Sequence, residues 1–335
     1  MTAMTFEIPK ENSPGKIVEV TIGATAAQGG TRSRSVTVGG STALPFHFFE
    51  GLHPHPPVVA MEVFDKVPAK YPDSLREFYQ DVLEKPWEMA RRCVGDFGAE
   101  MISVRLEGTH PEKGNRTADE AVEVVRQVLA AVDVPLIITG HSHFEKNNEV
   151  MKKVCEATAG ENCLINYVET NNYKTIAAAC LAYHHTLVAQ TPIDVNMAKQ
   201  LNILLADLNF PPDRLVMDPL TGALGYGLEY SYSIMERIRN EGLAGDRMLG
   251  FPMLITPGAE CVKVKESRAP EKDYPQWGDE KSRGAYWEIA TAMSLLVAGA
   301  DLLIMDHPRA AEVVRKQVAA MFDGRKEGTH GALRT

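Results

Sequence analysis

The chain has 335 residues, of which 44% are hydrophobic and 24% charged. This composition is typical of a globular protein with a sizeable core and excludes disordered, collagen-like and coiled-coil chains. The formal charge of -9 and the lack of a Lys/Arg-rich stripe argue against a nucleic-acid partner.

Neither a signal peptide nor a membrane span is visible in the sequence. The first fifteen residues lack an apolar core region, and the longest apolar stretch, near residues 292–298, is far shorter than the ~20 residues of a membrane helix. The sequence therefore predicts a soluble, cytoplasmic protein with no membrane partner.

Two segments near the N-terminus, 17–22 and 35–38, predict a β-hairpin, an element that commonly plugs one end of a barrel. Eight short apolar runs then alternate with helix-like segments. They are rich in branched aliphatic residues, as strands buried on both faces should be. The eight predicted strands cover residues 58–61, 101–106, 136–139, 163–166, 186–190, 215–218, 252–256 and 302–305.

Eight strand–helix pairs are the number found in a (β/α)8 TIM barrel, so we predict an α/β fold of this kind. A doubly wound sheet is the alternative, because apolar strands alone do not reveal closure. A long insertion, 260–283, separates the seventh and eighth strands. The predicted units are an N-terminal extension with the hairpin (1–50), the barrel (51–322) and a polar tail (323–335).

Two helix starts are readable. Thr117 and Glu120 form a capping-box pattern before an apolar helical face. The segment 191–194 predicts another start, with proline at the first position and an acid in the first turn.

The predicted strand ends are polar, and in a barrel the binding side chains gather there. No lysine lies in a predicted strand, which argues against a Schiff-base aldolase. The motifs of serine hydrolases and P-loop enzymes are also absent. Carboxylate, amide, hydroxyl and imidazole groups make up the predicted mouth: Glu62, Asp65, Glu107, His141, His143, Asn166, Glu169, Thr191, Asp194, Asp218, Thr256, Asp306 and His307.

Cysteines and histidines do not form a metal-binding pattern. Five cysteines occur without a C-x-x-C pair, which favours buried, reduced thiols over a disulfide framework, a zinc site or an iron–sulfur cluster. Histidine pairs at 53/55, 141/143 and 184/185 lack a third ligand at a recognisable spacing, so we interpret them as loop histidines.

The loop 218–230 is the most distinctive segment. It carries Gly222, Gly225 and Gly227 in a G-x-x-G-x-G spacing, which differs from a dinucleotide fingerprint. The glycines fit either close approach to a flat, bulky ligand or a tight strand-to-helix turn.

Several motifs together resemble a known family. They are GATAAQGGTRS (23–33), LPFHFFEG (44–51), PIDVNMAKQLNI (192–203), GALGYGLEY (222–230), MERIR (235–239), YPQWG (274–278) and RGAYWE (283–288). In combination they resemble the small (delta) subunit of the corrinoid iron–sulfur protein of the acetyl-CoA decarbonylase/synthase system. The resemblance runs from about residue 18 to residue 321.

The resemblance implies a TIM-barrel subunit paired with a large (gamma) subunit. That partner would carry a 4Fe–4S cluster and the main corrinoid-binding domain, and this barrel's C-terminal face would cover the corrinoid at the interface. The complex would take a methyl group from methyl-tetrahydropterin to cobalt and deliver it to acetyl-CoA synthase. Transient contacts with that synthase and with a pterin-dependent methyltransferase are implied, and the chain alone would not be catalytic.

Strand-end position selects the residues expected to face the corrin. They are Asn166, Thr191, Asp194, Asn196, Gly222, Gly225 and Tyr226. Two alternatives stay open. The barrel itself could bind the methylated pterin through Asp218, Asn166 and Asp65 and act as a methyltransferase, or it could be a purely structural subunit.

Overall fold

The computed structural model describes residues 9–327 of the chain. Eight parallel strands pair side by side and close into a barrel, in the order β10-β3-β4-β5-β6-β7-β8-β9. Two further strands, β1 (Val20–Ile22) and β2 (Val36–Val38), form an antiparallel hairpin. The predicted TIM barrel with an N-terminal hairpin is confirmed.

Each predicted barrel strand is present, and its bounds differ from the prediction by three residues at most. The barrel strands are β3 (Val58–Phe64), β4 (Met101–Arg105), β5 (Leu136–Thr139), β6 (Leu164–Val168), β7 (Thr186–Gln190), β8 (Leu215–Asp218), β9 (Met253–Ile255) and β10 (Ala300–Met305). All seven residues of β3 and all four of β5 are buried, because helices cover the outer face of the sheet while side chains fill its interior.

The helices follow the strands in the alternation that the sequence predicts. They are α1 (Asp73–Tyr79), α2 (Pro86–Gly95), α3 (Ala118–Ala131), α4 (Phe144–Ala157), α5 (Tyr173–Tyr183), α6 (Val195–Asp207), α7 (Leu228–Leu243), α8 (Pro257–Cys261), α9 (Glu280–Val297) and α10 (Pro308–Glu327). The capping box predicted for α3 is formed, with the Glu120 backbone N–H donating to Thr117.

The start of α6 differs from the prediction. The helix begins at Val195, and Asp194 is its N-cap, accepting the backbone N–H of Met197 at 2.9 Å. Pro192 is therefore in the loop before the helix rather than in its first turn. An N-cap aspartate satisfies one of the free N–H groups of the first turn, which explains why the chain turns helical after it.

The hairpin closes the N-terminal end of the barrel. Its four valine and isoleucine side chains are buried in one apolar cluster with inward-facing residues of the barrel strands. The backbone N–H of Gly23 donates to the carbonyl of Asn162, just before β6, and Asn162 Nδ2 donates to the Thr21 carbonyl, both at 2.8 Å. Since the plug occupies this end, the opposite end is where a ligand can enter.

The insertion between β9 and β10 lies beside the open end. It contains α8 and an aromatic stack in which the ring centroids of Tyr274 and Trp277 are 4.1 Å apart. Lys265 Nζ lies 4.4 Å from the centroid of Tyr274, close enough for a cation–π contact. The insertion is therefore an ordered part of the open end.

The final helix reaches Glu327, beyond the start of the predicted polar tail at residue 323. Residues 328–335 lie outside the described part of the chain. The division into units 1–50, 51–322 and 323–335 stays a prediction. Among residues 9–327, no helix is both long enough and apolar enough to cross a membrane.

Buried His185 should make folding stability depend on pH. Its Nδ1 accepts the backbone N–H of Cys163 at 3.2 Å, and its Nε2 lies 2.8 Å from the Cys155 carbonyl. Burial lowers the pKa of His185 from 6.5 to about 4. The unfolded chain therefore takes up a proton near pH 6.5 that the folded chain does not. The stability gained from this difference is present above pH 6.5 and is lost as the pH falls toward 4, by about 3 kcal/mol.

Urea unfolding between pH 7 and pH 4 tests this expectation. His185→Gln should flatten the dependence of the unfolding free energy on pH by about one proton. The matched control is His184→Asn, at an exposed position whose φ of 61° asparagine tolerates, and it should keep the wild-type slope. An unchanged slope in His185→Gln would contradict the expectation.

Candidate functional site

A cavity of about 490 Å³ opens at the C-terminal end of the barrel. Its walls come from the ends of β3, β4, β6 and β10, from the loops after β4 and β5, and from α8 and the insertion. The charged and aromatic residues that line it include Glu62, Tyr71, Arg105, Glu107, His110, Lys113, His141, Tyr167, Lys263, Arg268 and Asp306. Its size is that of a small-molecule site.

A row of hydrogen bonds crosses four neighbouring strands in the wall of the barrel. Asn166 Nδ2 donates to Thr139 Oγ1 at 3.2 Å, and Thr139 and Ser103 share a hydrogen bond of 3.0 Å between their hydroxyls. Ser103 Oγ donates to Glu62 Oε1 at 3.1 Å, and Arg105 Nε lies 2.7 Å from Glu62 Oε2. All donors can therefore point toward Glu62, whose side chain is fully buried. The row fixes the side chains of β3 to β6 at the mouth.

Asp306 sits at the end of β10 in an unusual environment. Burial and the negative charge of Glu62 raise its pKa well above the usual range. The neighbouring carboxylate of Glu288 is occupied by the backbone N–H groups of Asp306 and His307, at 2.8 and 3.1 Å. Asp306 Oδ1 is buried without a hydrogen-bond partner among the described residues. A protonated Asp306 can thus donate a hydrogen bond into the cavity.

Asp218 and Asp65 lie on different sides of the mouth. Asp218, at the end of β8, accepts Gln190 Nε2 at 2.7 Å and the Leu220 N–H at 2.8 Å. Burial raises the pKa of Asp218 to about 6. Asp65, just after β3, accepts the Gly108 N–H at 2.7 Å, and burial raises its pKa as well. Since β3 and β8 are not neighbours, these two carboxyl groups do not form a pair.

Three histidines cluster on one wall. The ring centroid of His110 lies 5.0 Å from that of His141 and 6.0 Å from that of His143. Burial, with the positive charges of its neighbours, lowers the pKa of His141 to about 4. His141 is thus neutral at pH 7. No set of three or more His, Cys, Asp or Glu within the described residues has the geometry of a metal site.

The residues predicted to face a corrin ring fall into two groups. Asn166 and Thr191 are buried, and Gly222 has no room for a side chain, since a Cβ there would lie 2.4 Å from the Gly227 carbonyl. Asp194 caps α6 with its carboxylate. Asp194 is exposed, as are Asn196 in the first turn of α6 and Gly225 and Tyr226 in the loop after β8. The predicted set thus divides into three residues with little or no room at the surface, Asn166, Thr191 and Gly222, and four that reach solvent.

Large apolar side chains are exposed after the same two neighbouring strands, and we call this set the rim. It consists of large side chains from the loop and first turn after β7 and from the loop and first turn after β8, all at least 37% exposed. The rim comprises Ile193, Met197, Leu224, Tyr226 and Tyr230. The Tyr226 hydroxyl donates a hydrogen bond to Glu266 at 2.9 Å, which fixes the position of the ring. Exposed apolar patches of this kind are typical of interaction surfaces.

The sequence prediction missed the basic side of the cavity. Arg105, Lys113, Lys263 and Arg268 come from β4, the loop after it and the region after α8. One signal was available, because Arg105 is a charged residue near the end of an apolar strand. Charge inside such a run needs a buried partner, which here is Glu62.

The pair of Glu62 and Arg105 should be important for stability. Arg105→Met leaves the fully buried carboxylate of Glu62 without its cation, and we expect a loss of about 3–5 kcal/mol in the unfolding free energy. Combining it with Glu62→Gln should recover part of the loss, since the charge is then gone.

Lys153→Met is the control, because Lys153 pairs with Asp119 at 2.7 Å on the exposed surface, where ion pairs contribute little. Urea unfolding of the three variants measures the difference. Equal losses of unfolding free energy in Arg105→Met and Lys153→Met would show that the buried ion pair contributes no more to stability than the exposed one.

Comparison with known proteins identifies relatives over nearly the whole chain. A family described as CO dehydrogenase/acetyl-CoA synthase delta subunit matches residues 19–316. The acetyl-CoA decarbonylase/synthase complex subunit delta of Archaeoglobus fulgidus is 42% identical over 329 residues, covering 96% of this chain and 72% of the relative. The Methanocaldococcus jannaschii subunit delta is 36% identical, covering 93% and 76%.

Solved structures with a similar fold are more distant in sequence. A dihydropteroate synthase from Xanthomonas albilineans superposes with a TM-score of 0.55 at 18% identity, covering 82% of this chain and 95% of that one. The dihydropteroate synthase from Thermus thermophilus has a TM-score of 0.52 at 17% identity, covering 84% and 98%. At this level of identity the likeness concerns the barrel fold alone.

Proposed function

Because the chain belongs to the CO dehydrogenase/acetyl-CoA synthase delta subunit family, we propose that it is the barrel subunit of a corrinoid iron–sulfur methyl carrier. It pairs with a large corrinoid iron–sulfur subunit, and its open end covers the corrinoid. The corrinoid, when bound, supplies the cobalt that carries a methyl group from methyl-tetrahydropterin toward acetyl-CoA synthase. The barrel excludes water and orients the cofactor.

The observation that carries this proposal is the rim. A corrin is a broad ring system with apolar faces, and a ligand of that shape needs an exposed apolar surface rather than a narrow cleft. Tyr226 and Tyr230 are 53% and 63% exposed beside the open end of the barrel. Aromatic side chains contribute large contact areas at small cost in conformational entropy. The rim therefore supports a cover for a flat ligand held against a partner.

Three of the seven residues predicted to face the corrin lie in or beside the rim. Asn196 is exposed in the first turn of α6, and Gly225 and Tyr226 are exposed in the loop after β8. Gly225 has a φ of 72°, a conformation that favours glycine. The loop can turn there, and no side chain separates its backbone from a corrin ring. We assign contact with the corrinoid to these three residues, support beneath the ring to Asn166, Thr191 and Gly222, and the capping of α6 to Asp194.

The cysteines do not fit an iron–sulfur cluster. All five are buried, and burial raises the pKa of Cys93 and Cys163 to about 12. Cluster ligands must be thiolates, which these environments disfavour. The proposal therefore assigns the cluster to the large subunit and derives no chemistry from it here.

Two isoleucines of equal exposure offer a direct test. Ile193 belongs to the rim, whereas Ile203 lies further along α6, and both are 41% exposed. In the complex reconstituted with the large subunit, Ile193→Glu should weaken subunit affinity or corrinoid retention about tenfold, because a buried unpaired carboxylate costs well over 1.4 kcal/mol. Ile203→Glu is the control and should behave like the wild type.

The measurements are subunit affinity, cobalt content and the visible absorption spectrum of the corrinoid. An altered spectrum or lost cobalt in Ile193→Glu and Tyr226→Ala supports a cover that touches the ring. Full assembly with an unchanged spectrum in both variants would favour the purely structural alternative and overturn this proposal.

A second candidate function is pterin binding by the barrel itself. Two buried polar groups at strand ends favour it: Asp218 at the end of β8, which accepts a hydrogen bond from Gln190, and Asn166 Oδ1 on β6, which has no partner among the described residues. Carboxylate and amide groups at a barrel mouth can hydrogen-bond the amino and amide edge of a pterin. Asp65 follows β3, three positions from β8 in the closed barrel, and already accepts the Gly108 N–H, so we leave it out of the candidate site.

Titration of the isolated chain with methyl-tetrahydropterin tests this candidate. Tight binding that Asp218→Ala weakens at least tenfold would support it, since a paired carboxylate contributes about 1.4 kcal/mol or more. Asp213→Ala is the control, because Asp213 is exposed at the opposite end of β8. If both variants bind like the wild type, Asp218 does not hold a pterin.

A further inference from the structure

The cavity at the open end has an excess of positive charge. Five lysine and arginine residues line it, against three aspartate and glutamate residues, although the chain as a whole has a charge of -9. Low-dielectric walls that carry one sign of charge concentrate counter-ions. The cavity therefore favours anionic ligands.

Ion pairs cancel part of this charge, because Arg105, Lys113 and Lys263 each pair with a carboxylate, but Lys70 and Arg268 have no carboxylate partner among the described residues. Glu62 is fully engaged by Arg105 and Ser103, and Glu107 lies against Lys113. Despite that contact, burial and the positive charges of Arg105 and Lys263 lower the pKa of Lys113. The cations therefore lie close enough to repel one another, and an added anion would relieve the repulsion.

Two histidines add hydrogen-bond donors to the same walls. His141 Nδ1 accepts the backbone N–H of His143 at 3.2 Å, and His110 Nδ1 accepts that of Glu112 at 3.1 Å. In the neutral ring, an accepting Nδ1 leaves the proton on Nε2. His141 is only 6% exposed, and its Nε2 has no partner among the described residues. A buried donor without a partner is costly unless a ligand supplies an acceptor.

The cavity is distinct from the rim. Its walls come mainly from β3, β4, β10 and the insertion, whereas the rim belongs to the loops after β7 and β8. The two surfaces meet at the insertion, where the Tyr226 hydroxyl donates to Glu266, a residue between Lys263 and Arg268 in sequence. A ligand in the cavity would occupy a different part of the mouth from a ring on the rim.

We propose that this basic cavity binds the carboxylate or phosphate groups of a small anionic ligand, such as the acidic tail of a reduced pterin. Lys70 and Arg268 supply positive charge that no carboxylate neutralises, the ion-paired Lys113 and Lys263 lie on the same walls, and His141 Nε2 donates a directed hydrogen bond. The inference does not require the chain to act on a corrinoid, because it concerns a separate part of the mouth.

The test uses the full chain and four probes that differ in acidity. They are tri-γ-glutamyl methyl-tetrahydrofolate, 6-methyltetrahydropterin without a tail, triglutamate alone and inorganic pyrophosphate. Titration calorimetry should show the tailed pterin binding at least tenfold more tightly than the tail-free ring, with an affinity that falls as ionic strength rises. If triglutamate binds without a pterin ring, the cavity is a carboxylate site. If pyrophosphate binds more tightly than triglutamate, the cavity is a phosphate site.

Variants then locate the binding. Lys113→Gln and Lys263→Gln should each weaken the acidic probes about five- to tenfold and leave 6-methyltetrahydropterin unaffected, because each removes one charge at close range. Lys199→Gln is the matched control, since Lys199 also pairs with a carboxylate, Asp246 at 2.6 Å, but lies on the outer helices. Equal affinity for tailed and tail-free ligands, or an equal loss in all three variants, would overturn the proposal.

These outcomes are separate from those of the proposed function. A change in corrinoid retention in Ile193→Glu does not bear on the cavity, and a failure of anion binding does not bear on the rim. If triglutamate binds and the tail-free pterin does not, the anion site stands while pterin binding by Asp218 fails.

Discussion

The apolar contact between the hairpin and the barrel interior determines how the rest of the molecule is arranged. Val20, Ile22, Val36 and Val38 complete the cluster formed by inward-facing strand residues, so one end of the barrel is filled. Parallel strands place all their carboxyl ends at the other end. The polar groups of eight strand ends are thus the boundary of a single opening, and each binding role discussed for this chain belongs there.

The two sides of that opening differ in polarity. On the β3–β6 side, the row from Asn166 to Glu62 fixes polar side chains, and Arg105 completes it. On the β7–β8 side, the loops raise apolar and aromatic residues into solvent. A flat hydrophobic ring and a charged small molecule would therefore meet different surfaces of the same mouth. Such a division suits a subunit that holds one group while another approaches.

The sequence was sufficient for the fold and insufficient for the site. Strand runs such as 136–139 and 215–218 matched the observed strands because residues buried on both faces must be apolar. The start of α6 was placed too early, since a proline and an aspartate nearby fit either a first turn or a cap. The basic cavity was missed because Arg105 and Lys113 are about 150 residues from Lys263 in sequence and meet it only when the barrel closes. Sequence position alone also could not separate buried Thr191 from exposed Tyr226.

The long-range contacts of the hairpin also affect the order in which parts of the chain fold. It precedes all eight barrel strands in the chain, yet its anchors are distant in sequence: the backbone N–H of Ser33 donates to the Asp133 carbonyl, that of Gly23 to Asn162 and that of Val18 to Gly250. Contacts of such long sequence separation slow folding, because the intervening chain must be ordered first. During synthesis, more than two hundred further residues must be added after the hairpin before Gly250, its last hydrogen-bond partner, is made. The segment that closes the barrel is therefore made before the strands it closes and is secured only after they are in place.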